Sequence, residues 1–263
     1  MDDDKAERWA AGILAALDLD CLHDFQAAKL AGRVTFAVTL AANRVGRAQA
    51  KPLFAQANSP YPGGRLSLRL RAALIWWYEY LMLRPPVHHH AGRASRPHLR
   101  TWSDAAGASR VLAVFLYDER NGAWLYTAAE IPERIWQQLA DRRDHQIGYQ
   151  EIAAPWLALA TWPELLMDCL WTNYMDNQGS MHSLLNGSCT APEQNIGAGK
   201  FWLRLAEANV DFQAYRVESK SNLADGPTRF DLQWVGRLGA SFTPPVYPLW
   251  AFQVWEMFEG AGV

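Results

Sequence analysis

The chain has 263 residues, half of them hydrophobic and 13 of them tryptophan, a composition that excludes disorder and accommodates an ordinary domain with an appended module. Its three cysteines, Cys21, Cys169 and Cys189, are far apart and form no CxxC pair, which argues against a zinc site or disulfide framework and suits a reducing, intracellular compartment. The net charge of −2 hides a segregation: residues 29–100 carry twelve Lys or Arg against the single acid Glu79, whereas residues 101–263 carry 11 basic and 19 acidic residues.

No run reaches the roughly 18 apolar residues of a membrane span, and Asp2, Asp3 and Asp4 carry the wrong charge for a signal peptide, so neither membrane insertion nor export is expected. From Ala6 to Leu83 the apolar spacing is helical, with Ala27, Leu30, Ala31, Val34, Ala37 and Val38 on one stripe. The turn-rich stretch Asn58 to Gly64 interrupts it, and a helix carrying Leu70, Ala73, Leu74, Trp77 and Leu81 follows. Residues 1–84 therefore read as a mainly helical module and 85–98 as a linker. Its His88, His89 and His90 read as polar linker, because adjacent side chains in an extended loop cannot converge on one ion.

After the linker the period shortens. Leu99 to Ala105, Val111 to Tyr117 and Ala123 to Ala128 read as three antiparallel strands, with Asn121-Gly122 as a hairpin turn. A helix over Gly148 to Thr161, a strand over Leu165 to Tyr174, helices over Gln178 to Leu185 and Pro192 to Ala208, a strand over Val210 to Val217 and a closing helix near Asn222 complete the order. Such an alternation specifies an α/β mixed sheet of five strands with helices on both faces, spanning 99–232 and followed by an extension over 233–263. Trp76, Trp77, Trp156, Trp162, Trp171 and Trp202 are candidates for stacking on bases, but most are better explained as core, because they fall on apolar faces.

Four acids fall at element ends: Asp104 in the first strand, Glu151 early in the long helix, Asp176 at the end of the central strand and Asp225 at the opening of the last helix. Singly, each reads as a turn or cap residue. Together, a mixed sheet can bring them to one rim, where uncompensated carboxylates repel one another unless cations separate them. All-oxygen ligands suit two Mg2+ ions, with Mn2+ as the alternative, and phosphodiester hydrolysis is the chemistry such a pair supports. The basic stretch upstream is the electrostatic footprint expected for a nucleic-acid backbone.

The segments SDAAGA, YQEIAAPWLAL, LWTNYMDNQGSMHSLLNG and VESKSNLADGPTR resemble the four acidic motifs of ribonuclease H domains, in particular those of reverse transcriptases from LTR-related and DIRS-type retroelements. The likeness spans about Arg100 to Phe230, and the stretch from Ala27 to Leu53 is similar to the thumb and connection region of those enzymes. The resemblance implies a ribonuclease H-like fold and endonucleolytic cleavage of the RNA strand of an RNA–DNA hybrid, with Asp104, Glu151, Asp176 and Asp225 as catalytic metal ligands. Trp102, Asn177, Arg216, Lys220, Asn222 and Arg229 flank these acids as candidate hybrid contacts. A histidine that many such enzymes carry before the last acid is missing, and Glu218 is a substitute for it. No Tyr-x-Asp-Asp motif is present, so a polymerase domain is expected elsewhere in a longer parent polyprotein. The competing readings are an inactive nucleic-acid-binding module of the same fold and another nuclease of that superfold. Exonucleases of this fold carry Asp-x-Glu on the first strand, whereas Asp104 is followed by Ala105 and Ala106; transposases end on Glu, whereas the last acid is Asp225.

Overall fold

The structure, a computed structural model, describes residues 3–40, 44–85, 96–140, 146–189 and 192–249. The run His88 to His90, most of the expected linker and the tail beyond residue 249 lie outside them.

Four helices come first: α1 (Asp3–Asp18), α2 (Asp24–Leu40), α3 (Arg47–Asn58) and α4 (Leu68–Leu83). Each forms where the apolar residues recur at helical spacing. In α1, Ala6, Trp9, Ala10, Ile13 and Ala16 are buried, which is one stripe, and Ser67 caps α4 by accepting the N–H of Leu70 at 3.2 Å. Pro52 inside α3 cannot donate to the carbonyl of Ala48 four residues earlier, and the side-chain amide of Asn195 supplies the missing bond at 2.9 Å.

Then follow β1 (His98–Ala106), β2 (Val111–Asp118), β3 (Ala123–Glu130), α5 (Glu133–Ala140), α6 (Gln146–Thr161), β4 (Leu170–Met175), α7 (Gln178–Asn186), α8 (Pro192–Glu207), β5 (Asp211–Arg216), α9 (Asp225–Thr228), α10 (Gln233–Leu238) and the two-residue β6 (Ser241–Phe242). The sheet order is β5-β4-β1-β2-β3-β6, with β1-β2-β3 antiparallel and β1-β4, β4-β5 and β3-β6 parallel. This is the expected mixed, ribonuclease H-like α/β architecture preceded by helices, with β6 as a sixth strand added at the edge. Alternation along the strands separates two faces. Leu99, Thr101, Ser103, Ala105, Leu112, Val114, Trp171 and Asn173 are buried, whereas His98, Arg100, Trp102, Thr172 and Tyr174 on the other face are half-buried. The buried face carries a polar line: Thr101 donates to Asn173 at 2.7 Å, Asn173 to Ser103 at 3.0 Å, and the Trp171 indole to Thr101 at 2.7 Å, so these polar groups are satisfied where they cannot reach water. Trp76, Trp77, Trp156, Trp162, Trp171 and Trp202, most of which were expected in the core, are all at most 4 % exposed.

The described residues divide into two compact units: 3–85 with 186–207, and 96–185 with 208–249. Helix α8, read from sequence as part of the sheet domain, packs instead on α3 and α4. At this contact Gly199 lets α8 lie against the Gln49 amide, which a Cβ at that position would overlap.

Two further expectations are corrected. The central strand begins at Leu170, because residues 163–168 form turns, with Leu166 N–H bonded to the Trp162 carbonyl and Asp168 at φ 52°. In place of a closing helix near Asn222 there is a 3-10 turn over Ser219–Ser221 followed by the single-turn α9, in whose first turn Pro227, with no N–H to donate, is tolerated. Helix α5 was not expected from the spacing of its apolar residues. Within the described residues no helix is long and apolar enough to cross a membrane.

Candidate metal centre

The parallel register of β1 and β4 pairs Trp102 with Tyr174. Asp104 and Asp176 each lie two residues further on, and therefore reach the same rim from adjacent strands. Glu151, in the second turn of α6, supplies the third carboxylate. One oxygen from each of Asp104, Glu151 and Asp176 lies within 4.8 Å of the others, a spacing at which one cation can touch all three.

The environment of the three is inhospitable to unpaired negative charge. Asp104 and Glu151 are 5 % and 6 % exposed. Burial, then Asp104 and Asp176, raise the Glu151 carboxyl to about 9. Asp104 is likewise raised, first by burial and then by Asp176 and Asp225, against a lowering by the Thr228 hydroxyl, which donates to its Oδ2 at 2.8 Å. Asp176 Oδ2 accepts from Ser219 at 2.5 Å. Glu151 Oε2 and Asp176 Oδ1 are buried and have no hydrogen-bond partner. Orphaned carboxylate oxygens in a set of oxygen-only donors fit a hard divalent cation, which would supply the missing positive partner.

Asp225 stands apart from this trio. It lies close enough to raise Asp104 electrostatically, yet its Oδ1 is ion-paired with Arg229 at 2.8 Å, an i,i+4 pair across α9. The structure thus gathers three of the four expected acids and leaves the fourth beside them, neutralised by its own helix.

The flanking residues divide by environment. Trp102 is half-buried and stacks on Tyr174, with ring centroids 5.1 Å apart, and leans on Trp124 at 5.3 Å. Its ring is on the same sheet face as Asp104, about 7 Å along the strand. Arg216, Lys220 and Arg229 are exposed. Asn177 caps α7, its Oδ1 accepting the Ser180 N–H at 3.0 Å. Asn222 is 4 % exposed; its amide donates to the Ser103 carbonyl at 3.0 Å and accepts from Ala224 N–H at 3.3 Å, so it clasps the loop before Asp225 to β1 and has no surface to offer a ligand. Glu218 is exposed at the start of the 3-10 turn.

Thr228 and Ser219, which hold Asp104 and Asp176, were missed by sequence reasoning. The available signal was their membership of the VESKSNLADGPTR segment, three residues after Asp225 and three before Asn222. No protein-family model matches the chain, and no curated protein matches it.

Proposed function

We propose that the sheet-bearing unit is a divalent-metal-dependent endonuclease that cuts the RNA strand of RNA–DNA hybrids, as the ribonuclease H part of a retroelement reverse transcriptase. The observation that carries this reading is the convergence of Asp104, Glu151 and Asp176 from β1, α6 and β4 within 4.8 Å, with two of their oxygens buried and unpartnered. Asp104, Glu151 and Asp176 would hold the metal, with Asp225 on the adjoining side. A bound divalent cation supplies Lewis-acid stabilisation of charge at a scissile phosphate.

The chain's own groups then position and screen. Thr228 fixes the Asp104 carboxylate, Ser219 fixes that of Asp176, and the buried polar line through Thr101, Asn173 and Ser103 keeps β1 and β4 in register beneath them. The Trp102–Tyr174 pair offers an apolar edge to a sugar or base beside the acids, and exposed Arg216 and Lys220 supply positive charge for phosphates. Arg229 is ion-paired with Asp225, and it would be free to meet a phosphate if Asp225 served as a further ligand of the metal.

The test is cleavage of a labelled RNA–DNA hybrid with Mg2+ or Mn2+, compared with Asp176→Asn and with RNA–RNA and DNA–DNA duplexes. Hybrid-specific cutting abolished by the substitution supports the reading. Equal cutting by both proteins, or none by either while the hybrid is bound, sinks it, the latter favouring a binding module that has lost its chemistry.

A further inference from the structure

The stretch 229–246 follows the last acid and has no buried residue, although it carries a helix and a strand. Both of its ends are fixed beside Asp104. At the start, Thr228 donates to Asp104, and the Asp231 N–H returns to the Gly226 carbonyl at 2.9 Å, in a turn so close that a Cβ on Gly226 would come within 2.7 Å of the Asp231 carbonyl. At the end, β6 pairs Phe242 with Tyr126, which is in register with Phe115 and through it with Trp102, the row next to Asp104 on the same face of the sheet. This arm therefore leaves the acid rim and lands on the aromatic row that flanks it.

Burial does not account for the arm. A six-residue helix without a core face is not stable by itself in water, and none of the residues of α10 is buried. Phe230 is 76 % exposed at φ 63°, a left-handed backbone unfavourable for a residue with a bulky side chain. Leu232, Trp234 and Phe242 are exposed as well, and large apolar side chains grouped on one short segment mark a surface that a partner covers.

The chemistry of the arm selects the partner. The Arg237 guanidinium lies over the Trp234 ring, 5.2 Å from its centroid, and both side chains are exposed. The one acid of the arm, Asp231, is committed, accepting the Gln233 N–H at 3.0 Å at the head of α10. Exposed Arg216 and Lys220 add cations at the rim, against the single exposed acid Glu218 between them. Open rings beside guanidinium groups suit bases that present their faces and are joined by phosphates. Bases within a duplex are stacked on one another and offer only their edges, so the fitting ligand is an unpaired strand.

We propose, resting on the nuclease reading above, that this arm binds the unpaired strand that continues from a hybrid seated at the acids. Bases stack on Phe230 and on the Trp234–Arg237 pair, and Arg237 meets a phosphate. The favoured substrate is then a hybrid with a single-stranded tail in place of a blunt one. Such a tail has two sources, the RNA strand and the DNA strand.

Fluorescence anisotropy of the full chain carrying Asp176→Asn tests this with a blunt labelled hybrid and with hybrids bearing a tail of about ten nucleotides on either strand. At least one tail is expected to tighten binding roughly tenfold, and the strand that does so identifies the source; a gain from both shows that the arm accepts unpaired bases of either kind. Trp234→Ala, Arg237→Ala and Phe230→Gly should each remove most of the gain while leaving affinity for the blunt hybrid unchanged. Their thermal midpoints should not fall, because the side chains are exposed and glycine adopts φ 63° freely. Arg237→Lys keeps the charge without the planar group and should retain only part of the gain. Tails that add nothing, or a gain that survives the Trp234 and Arg237 variants, overturn the proposal; cleavage of the blunt hybrid by the wild-type chain then leaves the nuclease reading standing. A blunt hybrid that is neither bound nor cut overturns the nuclease reading, and a labelled single strand then decides for the arm: binding lost in Trp234→Ala supports it, and no binding overturns it.

Discussion

The Thr228 hydroxyl donates to Asp104 Oδ2 at 2.8 Å across 124 residues of sequence, and Thr228 is itself fully buried. This bond ties β1 to the short helix that Asp225 opens, and among the influences on Asp104 it is the largest one favouring the ionised carboxylate. Thr228→Val keeps the shape and removes the donor. The Asp104 carboxyl then rises further, and the Mg2+ concentration for half-maximal hybrid cleavage increases by roughly three- to tenfold. Thr228→Ser restores it. An unchanged metal requirement in Thr228→Val, at unchanged thermal stability, would show that Asp104 is held by other means.

Glu151 sets the pH response of the metal-free protein. Its folded carboxyl is at about 9, far above the ordinary range of an unfolded glutamic acid, so the folded chain keeps a proton that the unfolded chain releases. Stability is therefore fullest below the unfolded value and is lost as pH rises from about 4.5 towards 9. Thermal denaturation in EDTA between pH 5 and 9 should show a falling midpoint, which Glu151→Gln flattens. Added Mg2+ should remove much of the fall, since a cation replaces the proton as the partner of the carboxylate.

Asp225 differs from the trio in having a cation of its own. Asp104→Asn, Glu151→Gln and Asp176→Asn should each reduce hybrid cleavage by about a thousandfold or more, roughly 4 kcal/mol of transition-state stabilisation. Asp225→Asn should cost less, by one to two orders of magnitude, and be partly restored by Mn2+. Single-turnover rates decide this; an equal loss for all four would place Asp225 in the cluster as a full ligand.

Asn195 compensates a proline. Because Pro52 has no N–H, removing the amide in Asn195→Ala leaves the Ala48 carbonyl without its donor and should cost about 1–3 kcal/mol in urea denaturation. In the Pro52→Ala background the helix can close that bond by itself, and the cost of Asn195→Ala should fall by about 1 kcal/mol. Additive effects would mean that the two residues are not coupled.

On the proposed function, Trp102, stacked on Tyr174 beside the two strand acids, would meet the hybrid. Trp102→Ala should weaken hybrid binding to an Asp176→Asn background by roughly tenfold, within the range of a lost stacking contact. Trp124→Ala removes the ring on its other side without touching the acids and should change affinity much less. Fluorescence anisotropy with labelled hybrid separates the two.

How far the fold was legible varied along the chain. The antiparallel strands were plain, since alternation over Leu99–Ala105 and the Asn121-Gly122 turn are local signals, and the three strands observed differ from them by one or two residues at their ends. The central strand was read as starting five residues too early, because Leu165, Leu166, Met167 and Cys169 satisfy a strand pattern although the backbone turns at Asp168. An apolar residue reports burial, and burial in a turn looks the same in one dimension. The allegiance of α8 to α3 and α4 was likewise invisible, because it is made by contacts with helices far away in the sequence.

For the site, the sequence by itself determined which carboxylates were available and on which element types: Asp104 on a strand, Glu151 on a helix, Asp176 at a strand end, Asp225 at a helix start. Those are properties of local spacing and short-range propensity. Only the tertiary structure decided which of them meet, because the β1-β4 register brings Asp104 and Asp176 to one rim and α6 delivers Glu151 between them. It also decided that Asp225 is paired with Arg229, that Asn222 is a buried clasp, and that Thr228 and Ser219 are the donors. Hydrogen bonds and ion pairs act over about 3 Å in space, and nothing in the order of residues records which distant groups will come that close.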